Sequence, residues 1–347
     1  MANDVASLAL VDRIERLANL TGPSGHEAPV RREIRAQVEP LADEVWEDAL
    51  GNLYAVKRPR DGGCSGRPRK VMLAAHMDEI GVVVTHIDEQ GFLRFAAVGS
   101  VSPAVLLGQR VVFQDGTVGV VDAEHLEEIK DLKLERMFID IGAPNAQRAR
   151  EKVSVGAMAT YHRTAERLDG GRRLAGKAMD DRAGCGAVIE ALARLERPCH
   201  EVTAVFTVQE EVGSRGARPA AFRVAPDVAL AVDVTATGDT PKARTMAVSL
   251  GQGVAIKVKD RSVITHPGLR QLLVERARQH GIPYQMEVLD FGGTDAGPIH
   301  TSRDGVPSAV LSIPTRYVHT PGEVVDLGDA EATVRLLVQL LQDEIPL

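Results

Sequence analysis

The run Val71-Met72-Leu73-Ala74-Ala75 is short and wholly apolar, and His76 and Asp78 follow it closely. A run of this kind predicts a strand that is buried on both faces, as in the centre of a sheet covered by helices. In open α/β sheets, the groups that bind ligands lie just beyond the carboxyl ends of such strands. The stretch therefore predicts an α/β fold with a polar site at one edge of its sheet.

Three apolar runs further along the chain also end near side chains that bind metals. They are residues 202–208 before Glu210-Glu211, residues 228–232 before Asp233, and residues 308–313 before His319. Because neighbouring strands of one sheet end side by side, these side chains are expected to converge with His76. Taken singly, each has a plainer interpretation as a surface or core histidine, a solvated acidic pair or a turn residue.

Asp180 and Asp181 stand where an extended segment gives way to an apolar run with helical periodicity. Two adjacent like charges are costly unless a cation or a proton offsets them. One interpretation is a helix N-cap, a position that Asp favours. The other is a carboxylate shared by two metal ions, each of which also has one histidine and one further carboxylate.

This donor set predicts a hydrolytic metal centre. Imidazole and carboxylate ligands without thiolate suit Zn²⁺, Co²⁺ or Mn²⁺. A pair of such ions lowers the pKa of a bridging water and stabilises a developing oxyanion. Glu210 adjoins Glu211 and is free to act as the general base that takes the proton of the water. Asp78 is suited to accept the second N–H of the His76 imidazole and fix the ring.

The segment from about residue 80 to residue 161 has a different pattern. Short extended runs dominate it, separated by turn pairs such as Gln90-Gly91 and Asp115-Gly116. Strands at this spacing without long helices between them indicate a small β-barrel or sandwich. We therefore expect a catalytic α/β domain of residues 1–77 and 165–347, interrupted by an inserted β-rich domain of residues 78–164.

The N-terminal region predicts two helices. Apolar residues recur with helical period from Val5 to Leu20. Ser24 and Glu27 have the spacing of a capping box for a second helix over about residues 27–39. The Gly- and Pro-rich stretch 59–68 is expected to be a mobile loop.

Composition narrows the class of partner. The chain has 347 residues, 44% hydrophobic content and a net charge of −7, which argues against nucleic acid or an anionic membrane as a partner. Residues 1–20 lack the basic start and apolar block of a signal peptide, and no apolar run approaches the roughly 18 residues of a membrane span. The three cysteines lack CxxC spacing, so they give no disulfide framework and fit a reducing cytoplasm.

Six motifs follow one another over nearly the whole chain. They are Ala75-His76-Met77-Asp78-Glu79-Ile80-Gly81, Lys177-Ala178-Met179-Asp180-Asp181-Arg182, Glu210-Glu211-Val212-Gly213-Ser214-Arg215-Gly216-Ala217, Asp233-Val234-Thr235, Phe291-Gly292-Gly293-Thr294-Asp295-Ala296 and Pro314-Thr315-Arg316-Tyr317-Val318-His319-Thr320-Pro321. In this order the set resembles the M42 family of metallo-aminopeptidases, which includes the tetrahedral (TET) and glutamyl aminopeptidases.

The resemblance implies a role for each predicted site residue. The ligands would be His76 and Asp233 on one ion, Glu211 and His319 on the other, and Asp180 bridging both. Glu210 is the implied general base, and Asp78 is the residue that orients His76. The turn with Thr294 and Asp295 is expected either to border the substrate site or to form a glycine turn that caps a helix.

The resemblance also implies a phosphorylase/hydrolase-like mixed sheet flanked by helices, with an inserted small β-barrel domain that helps subunits to associate. Members commonly form dodecamers, here expected to be built from dimers, with active sites that face an enclosed chamber. Such a shell would admit short peptides and exclude folded proteins.

We therefore expect a cytoplasmic aminopeptidase that uses two divalent ions to remove the N-terminal residue of short peptides with a free N-terminus. The nearest alternative is a metallo-deacylase or carboxypeptidase on the same core. A more distant alternative is a catalytically silent shell or binding protein, against which the intact ligand set and Glu210 argue.

Overall fold

The structure is a computed structural model that describes residues 6–60 and 68–347. Its α-helices are α1 (Leu8–Ala18), α2 (Ala28–Val38), α3 (Pro103–Leu106), α4 (Ala146–Arg150), α5 (Met179–Arg194), α6 (Ala217–Val224), α7 (Pro267–Gln279), α8 (Ala296–His300) and α9 (Leu327–Gln342). Its strands are β1 (Glu44–Glu47), β2 (Leu53–Lys57), β3 (Lys70–His76), β4 (Gly81–Ile87), β5 (Leu93–Val98), β6 (Arg110–Phe113), β7 (Val118–Ala123), β8 (Met137–Asp140), β9 (Met158–Tyr161), β10 (Glu166–Leu168), β11 (Arg173–Gly176), β12 (Glu201–Thr207), β13 (Val228–Thr235), β14 (Val254–Lys259), β15 (Tyr284–Val288), β16 (Ser308–Arg316) and β17 (Glu323–Asp326). The loop expected at 59–68 lies largely outside the described residues.

A mixed sheet forms the centre of the α/β part. Within residues 6–60 and 68–347, its strands follow the order β1-β2-β12-β3-β13-β16-β17-β11-β10, and β14 joins it at β16 and carries β15. β3 pairs in parallel with β12 and β13, and β13 pairs in parallel with β16. Residues 71–76 of β3 are buried, which confirms the prediction of a central strand covered on both faces.

Helices cover both faces of the sheet. A large apolar core joins one face to α1, α2, α5, α7 and α9, and a smaller cluster joins the other face to α6 and α8. In α1 the apolar face recurs at Leu10, Ile14 and Leu17, which are fully buried. Ser7 caps this helix by accepting a hydrogen bond at Oγ from the N–H of Leu10. The fold is thus the predicted mixed sheet flanked by helices.

The capping box predicted at Ser24 and Glu27 is wrong. Helix α2 begins after Glu27, but no side-chain hydrogen bond caps it. Instead the Ser24 hydroxyl donates to Asp78 Oδ2 over 2.6 Å. Glu27 Oε1 accepts hydrogen bonds from the N–H groups of Gly25 and Gln209. Both side chains are drawn away from the helix end by partners that the local sequence does not contain.

The two acidic residues at the start of α5 have different surroundings. Asp180 and Asp181 have non-helical backbone angles, so the regular part of α5 begins after them, and Asp181 Oδ1 caps it by accepting a hydrogen bond from the N–H of Gly184. A Cβ atom on Gly184 would lie 2.1 Å from that oxygen, which explains the glycine. Asp180 has an extended ψ of 101° and lies outside the regular helix. The cap interpretation therefore holds for Asp181 and leaves Asp180 free to face the site.

A closed barrel lies between β3 and β10 in the chain. Its described strands close in the order β4-β5-β8-β7-β6-β9 around an apolar interior. The hairpin of β6 and β7 turns at Asp115-Gly116, where Asp115 Oδ1 accepts from the N–H of Thr117 and Gly116 has a φ of +89°. The predicted barrel is present, while the exact limits 78 and 164 of the inserted domain and its role in association remain predictions.

Two of the three cysteines lie in the described part of the chain, and they differ in their bonding. Cys199 is disulfide-bonded, so the prediction that the chain has no disulfide is wrong at this residue. Cys185 is a free and buried thiol. In the described part of the chain, every helix is too short or too polar to cross a membrane.

Candidate metal centre

Parallel strands bring the predicted ligands to one edge of the sheet. His76 is the last residue of β3 and lies opposite Thr207 at the end of β12. Asp233 lies near the end of β13. Glu211 and His319 follow β12 and β16 in the loops beyond those strands. The topology thus gathers side chains that are far apart in sequence, as expected for the carboxyl edge of such a sheet.

Asp180 lies between two groups of ligand atoms. Its Oδ1 is 3.0 Å from His76 Nε2, and its Oδ2 is 3.2 Å from His319 Nε2. His76 Nε2 is also 3.8 Å from Asp233 Oδ1, and His319 Nε2 is 3.3 Å from Glu211 Oε2. The atoms of His76, Asp180 and Asp233 lie within 4.8 Å of one another, as do those of Asp180, Glu211 and His319. We call His76, Asp180 and Asp233 the first ligand set, and Asp180, Glu211 and His319 the second ligand set, so Asp180 belongs to both.

Burial and the crowding of acids create a strong demand for positive charge. Burial opposes the ionisation of Asp180, but hydrogen bonds from His319 and His76 hold its pKa well below the usual value. Burial raises the pKa of Asp233 well above its usual range, although His76 opposes the shift. Burial also opposes charge on His319, yet hydrogen bonds to Asp180 and Glu211 raise the pKa of this histidine to about 11.

The residues present fit two divalent cations. Each ligand set offers one imidazole and two carboxylates, and the carboxylates are poorly solvated. Buried carboxylates are costly unless a cation pairs with them. A neutral imidazole and ionised carboxylates are the forms that bind a metal ion. A donor set of this kind, without thiolate, suits Zn²⁺, Co²⁺ or Mn²⁺.

Asp78 lies beside His76 and also holds the loop after β12. Its Oδ1 is 3.4 Å from His76 Nδ1, and the same ring nitrogen is 3.2 Å from the carbonyl oxygen of Asp78. The Asp78 carboxylate accepts hydrogen bonds from the N–H groups of Glu210 and Glu211 over 2.9 and 3.1 Å, and from Ser24. That Asp78 orients His76 remains a prediction; its contacts with the other loops were not foreseen.

Two more buried carboxylates hold the main chain of ligand residues. Asp181 Oδ2 accepts from the N–H of His76 over 3.1 Å. Glu323 accepts from the N–H of Asp180 at Oε2 over 3.2 Å and from the N–H of His319 at Oε1 over 2.7 Å. Sequence reasoning missed Glu323, although an acid four residues after a candidate ligand histidine was a usable signal. Buried hydrogen bonds of this kind to main-chain N–H groups fix the segments that carry the candidate ligands.

Glu210 lies next to Glu211 in the loop after β12. Its Oε1 accepts a hydrogen bond from the Ser214 hydroxyl over 2.9 Å. Burial raises the pKa of Glu210 well above its usual value, with His76 opposing the shift and Asp233 adding to it. The carboxylate is therefore close enough to members of the first ligand set to interact with their charges.

Thr294 and Asp295 are buried, each with 3% of its surface exposed. Asp295 Oδ2 accepts a hydrogen bond from the Thr207 hydroxyl over 2.5 Å, while Oδ1 has no hydrogen-bond partner among the described residues. Burial raises the pKa of Asp295 to about 6, against the hydrogen bond from Thr207. The turn precedes α8, but the Asp295 side chain makes no capping hydrogen bond to that helix. Its role at the substrate site remains a prediction.

Comparison with known proteins identifies a family. The model of the M42 glutamyl aminopeptidases matches residues 51–336. A protein of Acetivibrio thermocellus is 47% identical over 333 residues, which cover 96% of this chain and 98% of that protein. The lysyl aminopeptidase of Pyrococcus furiosus is 35% identical over 347 aligned positions, with 96% and 97% coverage.

A solved structure agrees with these relatives. The TET1 peptidase of Pyrococcus horikoshii, described as able to assemble into a tetrahedron or a large octahedral shell, superimposes with a TM-score of 0.82. It is 32% identical, and the match covers 96% of this chain and 99% of that one. The similarity therefore extends over both the sheet and the barrel.

Proposed function

The chain belongs to the M42 glutamyl aminopeptidase family, and on that premise we propose that it removes the N-terminal residue of short peptides with the help of two divalent metal ions. The observation that carries the proposal is the Asp180 carboxylate, whose two oxygens face the two ligand sets. A carboxylate shared in this way suits a pair of ions that act together on one reacting group.

The ligands follow from the two sets. The first set, His76, Asp180 and Asp233, would hold one ion, and the second set, Asp180, Glu211 and His319, would hold the other. Zn²⁺ or Co²⁺ suits these donors, and Mn²⁺ is also compatible with them. When bound, the ions would polarise the scissile carbonyl and lower the pKa of the attacking water.

The residues of the chain would then move the proton and keep the geometry. Glu210 would take the proton of the water and deliver it to the leaving amine, because it lies beside a ligand without being needed as one. The hydrogen bond from Ser214 orients the Glu210 carboxylate. Asp78 would fix the His76 ring. By accepting hydrogen bonds from the N–H groups of Glu210 and Glu211, it would also hold the base and one ligand of the second set at fixed positions.

The substrate is proposed to be a short peptide with a free N-terminus. We propose that Thr294 and Asp295 lie at the inner boundary of the region that receives it. The support is the hydrogen bond to Asp295 from Thr207, the residue that lies opposite His76 in the sheet. Membership of the family does not determine the preferred N-terminal residue. The family is described as glutamyl aminopeptidases, whereas the P. furiosus relative is a lysyl aminopeptidase.

We further propose that residues 78–164 form the inserted domain through which subunits associate, between the catalytic segments 1–77 and 165–347. A homo-oligomer, specifically a dodecamer built from dimers, is supported by the shells described for the P. horikoshii TET1 peptidase. The cytoplasm is the proposed location. The support is the scarcity of cysteine in the sequence, and the disulfide at Cys199 argues against it. Neither nucleic acid nor a membrane is proposed as a partner, given the net charge of −7.

The test combines metal content and hydrolysis. The purified chain is loaded with Zn²⁺ or Co²⁺, ions per subunit are counted, and aminoacyl anilides are compared with their N-acetylated forms, with the Glu210→Gln variant as a matched control. About two ions with cleavage of the free amines alone is the expected result. Cleavage of the acetylated set instead would point to a deacylase or endopeptidase, and two ions without cleavage would overturn the proposed activity.

A further inference from the structure

Glu323 contacts two members of the second ligand set, Asp180 and His319, but only one member of the first set, Asp180. We infer that Glu323 is a positioning residue that holds these two of the three members of the second set in place for the metal ion. The inference rests on the proposed function for the existence of the two ions. It adds that occupancy of the second set depends on a side chain that is not itself a ligand.

The contacts of Glu323 are directed at ligand residues. Its Oε2 accepts the N–H of Asp180 over 3.2 Å, and its Oε1 accepts the N–H of His319 over 2.7 Å. The two N–H groups come from different parts of the chain, separated from one another by more than a hundred residues of sequence. Glu323 is 2% exposed, so water is a poor substitute for either bond. One carboxylate thus joins the start of α5 to the loop after β16.

The strand that carries Glu323 is itself fixed. Glu323 is the first residue of β17 and lies opposite Gly176 of β11, just before the loop that leads to Asp180. On its other side β17 pairs with β16, the strand that leads to His319. The carboxylate therefore projects from a framework shared by the two segments that it joins. A rigid support of this kind positions ligands more tightly than a loop would.

The backbone of His319 requires such a support. His319 has a φ of +64° and Tyr317, two residues earlier, has a φ of +59°. Residues other than glycine adopt this left-handed region at a cost, and they keep it only where the surroundings hold them there. The hydrogen bond to Glu323 fastens the His319 N–H in this conformation. Without it, the loop is expected to relax and to move Nε2 away from Asp180 and Glu211.

Loss of the support should affect the two sets unequally. His319 belongs to the second set alone, whereas Asp180 belongs to both and also keeps its contact with His76. A variant without the Glu323 carboxylate should therefore bind the ion of the second set more weakly and retain the ion of the first set. Changes in residues that orient metal ligands commonly reduce metal affinity by about 10- to 100-fold.

The test is a metal titration of Glu323→Gln with Co²⁺. The glutamine keeps the volume of the side chain, but it has one oxygen for two N–H donors. We expect one site of near-parental affinity and one site weakened by about 10-fold or more, with a change in the visible Co²⁺ spectrum. Excess Co²⁺ should restore hydrolysis. Glu323→Asp, which retains the carboxyl group but is shorter, should show the same unequal loss.

Asp326→Asn is the matched control. Asp326 is a buried carboxylate of the same strand, but it binds Arg172 and the N–H of Gly328 rather than a ligand residue. This variant should keep two sites of parental affinity. If Glu323→Gln and Glu323→Asp are folded and bind both ions as the parent does, the inference is overturned while the proposed function stands. A parent that does not bind two ions overturns the proposed metal centre itself.

Discussion

The hydroxyl of Ser214 donates a hydrogen bond to Oε1 of Glu210 over 2.9 Å. Ser214 itself has a φ of +47° and follows Gly213, whose φ is +114°. The turn thus bends back within four residues and places the hydroxyl against the carboxylate. The bond fixes one Glu210 oxygen, and under the proposed function the other oxygen would take the proton of the attacking water.

Ser214→Ala should therefore lower kcat by about 10-fold, because the Glu210 carboxylate loses a hydrogen bond that is worth about 1.5–3 kcal/mol at most for a charged acceptor. Steady-state kinetics would measure this, with metal content and the unfolding midpoint as controls. Parental kcat with intact metal content would show that Ser214 does not orient the base.

Glu210→Gln should keep both ions and the assembly but lose turnover by a factor on the order of 10² to 10⁴, since general base catalysis contributes about that much. The amide keeps the volume of the side chain and can still accept the hydrogen bond from Ser214. Single-turnover hydrolysis of an aminoacyl anilide by the metal-loaded variant is the measurement. Near-normal turnover would remove Glu210 from the role of base.

Asp180→Ala should lose both ions, whereas Asp233→Ala should lose one. The reason is that Asp180 belongs to both ligand sets and Asp233 to the first set alone. Elemental analysis after gel filtration would count the ions per subunit in parallel with the parent. An Asp180→Ala protein that still holds two ions would refute the shared carboxylate, even if its activity were low.

The parts of this site that could be predicted are those with a local signature. The apolar runs that precede His76 and Asp233 predict their place at the edge of the sheet. The barrel is predicted by turn pairs such as Asp115-Gly116, which recur between short extended runs. The resemblance to the family implies the two groups of candidate ligands around Asp180, and the structure brings the same residues together. In these cases the residues that decide the structure lie close together in the sequence.

The parts that could not be predicted depend on partners far away in the chain. Ser24 looked like a helix cap, but its hydroxyl donates to Asp78, 54 residues away. Glu323, which belongs to none of the predicted site motifs, accepts a hydrogen bond from the N–H of Asp180, 143 residues away. The spacing from His319 marks Glu323 as a candidate, but the partners of Glu323 and Ser24 follow only from the strand order of the sheet.

A buried ion pair beside the site should matter for stability. Lys177 Nζ lies 2.9 Å from both carboxylate oxygens of Glu79 and 2.7 Å from the carbonyl oxygen of Leu20, and the Lys177 and Glu79 side chains are each 3% exposed. Lys177→Met would leave the Glu79 charge buried with less compensation. We expect the free energy of unfolding to fall by about 3 kcal/mol, in the range for breaking one partner of a buried pair.

Denaturant unfolding of the metal-free protein would measure this change without a contribution from ion binding. Lys130→Met is a suitable control, because Lys130 forms an exposed pair with Glu128 and its loss should change stability by less than about 1 kcal/mol. The double variant Lys177→Met/Glu79→Gln should recover part of the loss. Equal stability of Lys177→Met and the parent would mean that Glu79 is satisfied by Arg182 and the Gly22 N–H alone.

The ion pair of Arg316 and Asp239 should make the free energy of unfolding depend on pH. Neither residue is a candidate metal ligand. Arg316 donates to both Asp239 oxygens, over 3.0 and 2.6 Å, and the N–H of Leu250 donates to Oδ2. The hydrogen bond from Arg316 holds the pKa of Asp239 well below its usual value, although burial opposes the shift. The folded protein therefore favours the ionised form more strongly than the unfolded chain does.

The contribution of this pair to stability should decrease as the pH falls. Because the pKa of Asp239 is lower in the folded state than the value of about 3.9 in an unfolded chain, the stabilisation is complete above roughly pH 5 and is lost as the pH falls toward 2. Asp239 is about one-fifth exposed at its side chain (19%), so solvent screening limits the effect to about 1 kcal/mol. Asp239→Asn should reduce stability at pH 7 and have little effect near pH 2. Urea unfolding of the parent and the variant at a series of pH values between 7 and 3 would measure the difference in their free energies of unfolding. This difference should become smaller as the pH falls. A constant difference would show that Arg316 does not recognise the charge of the carboxylate.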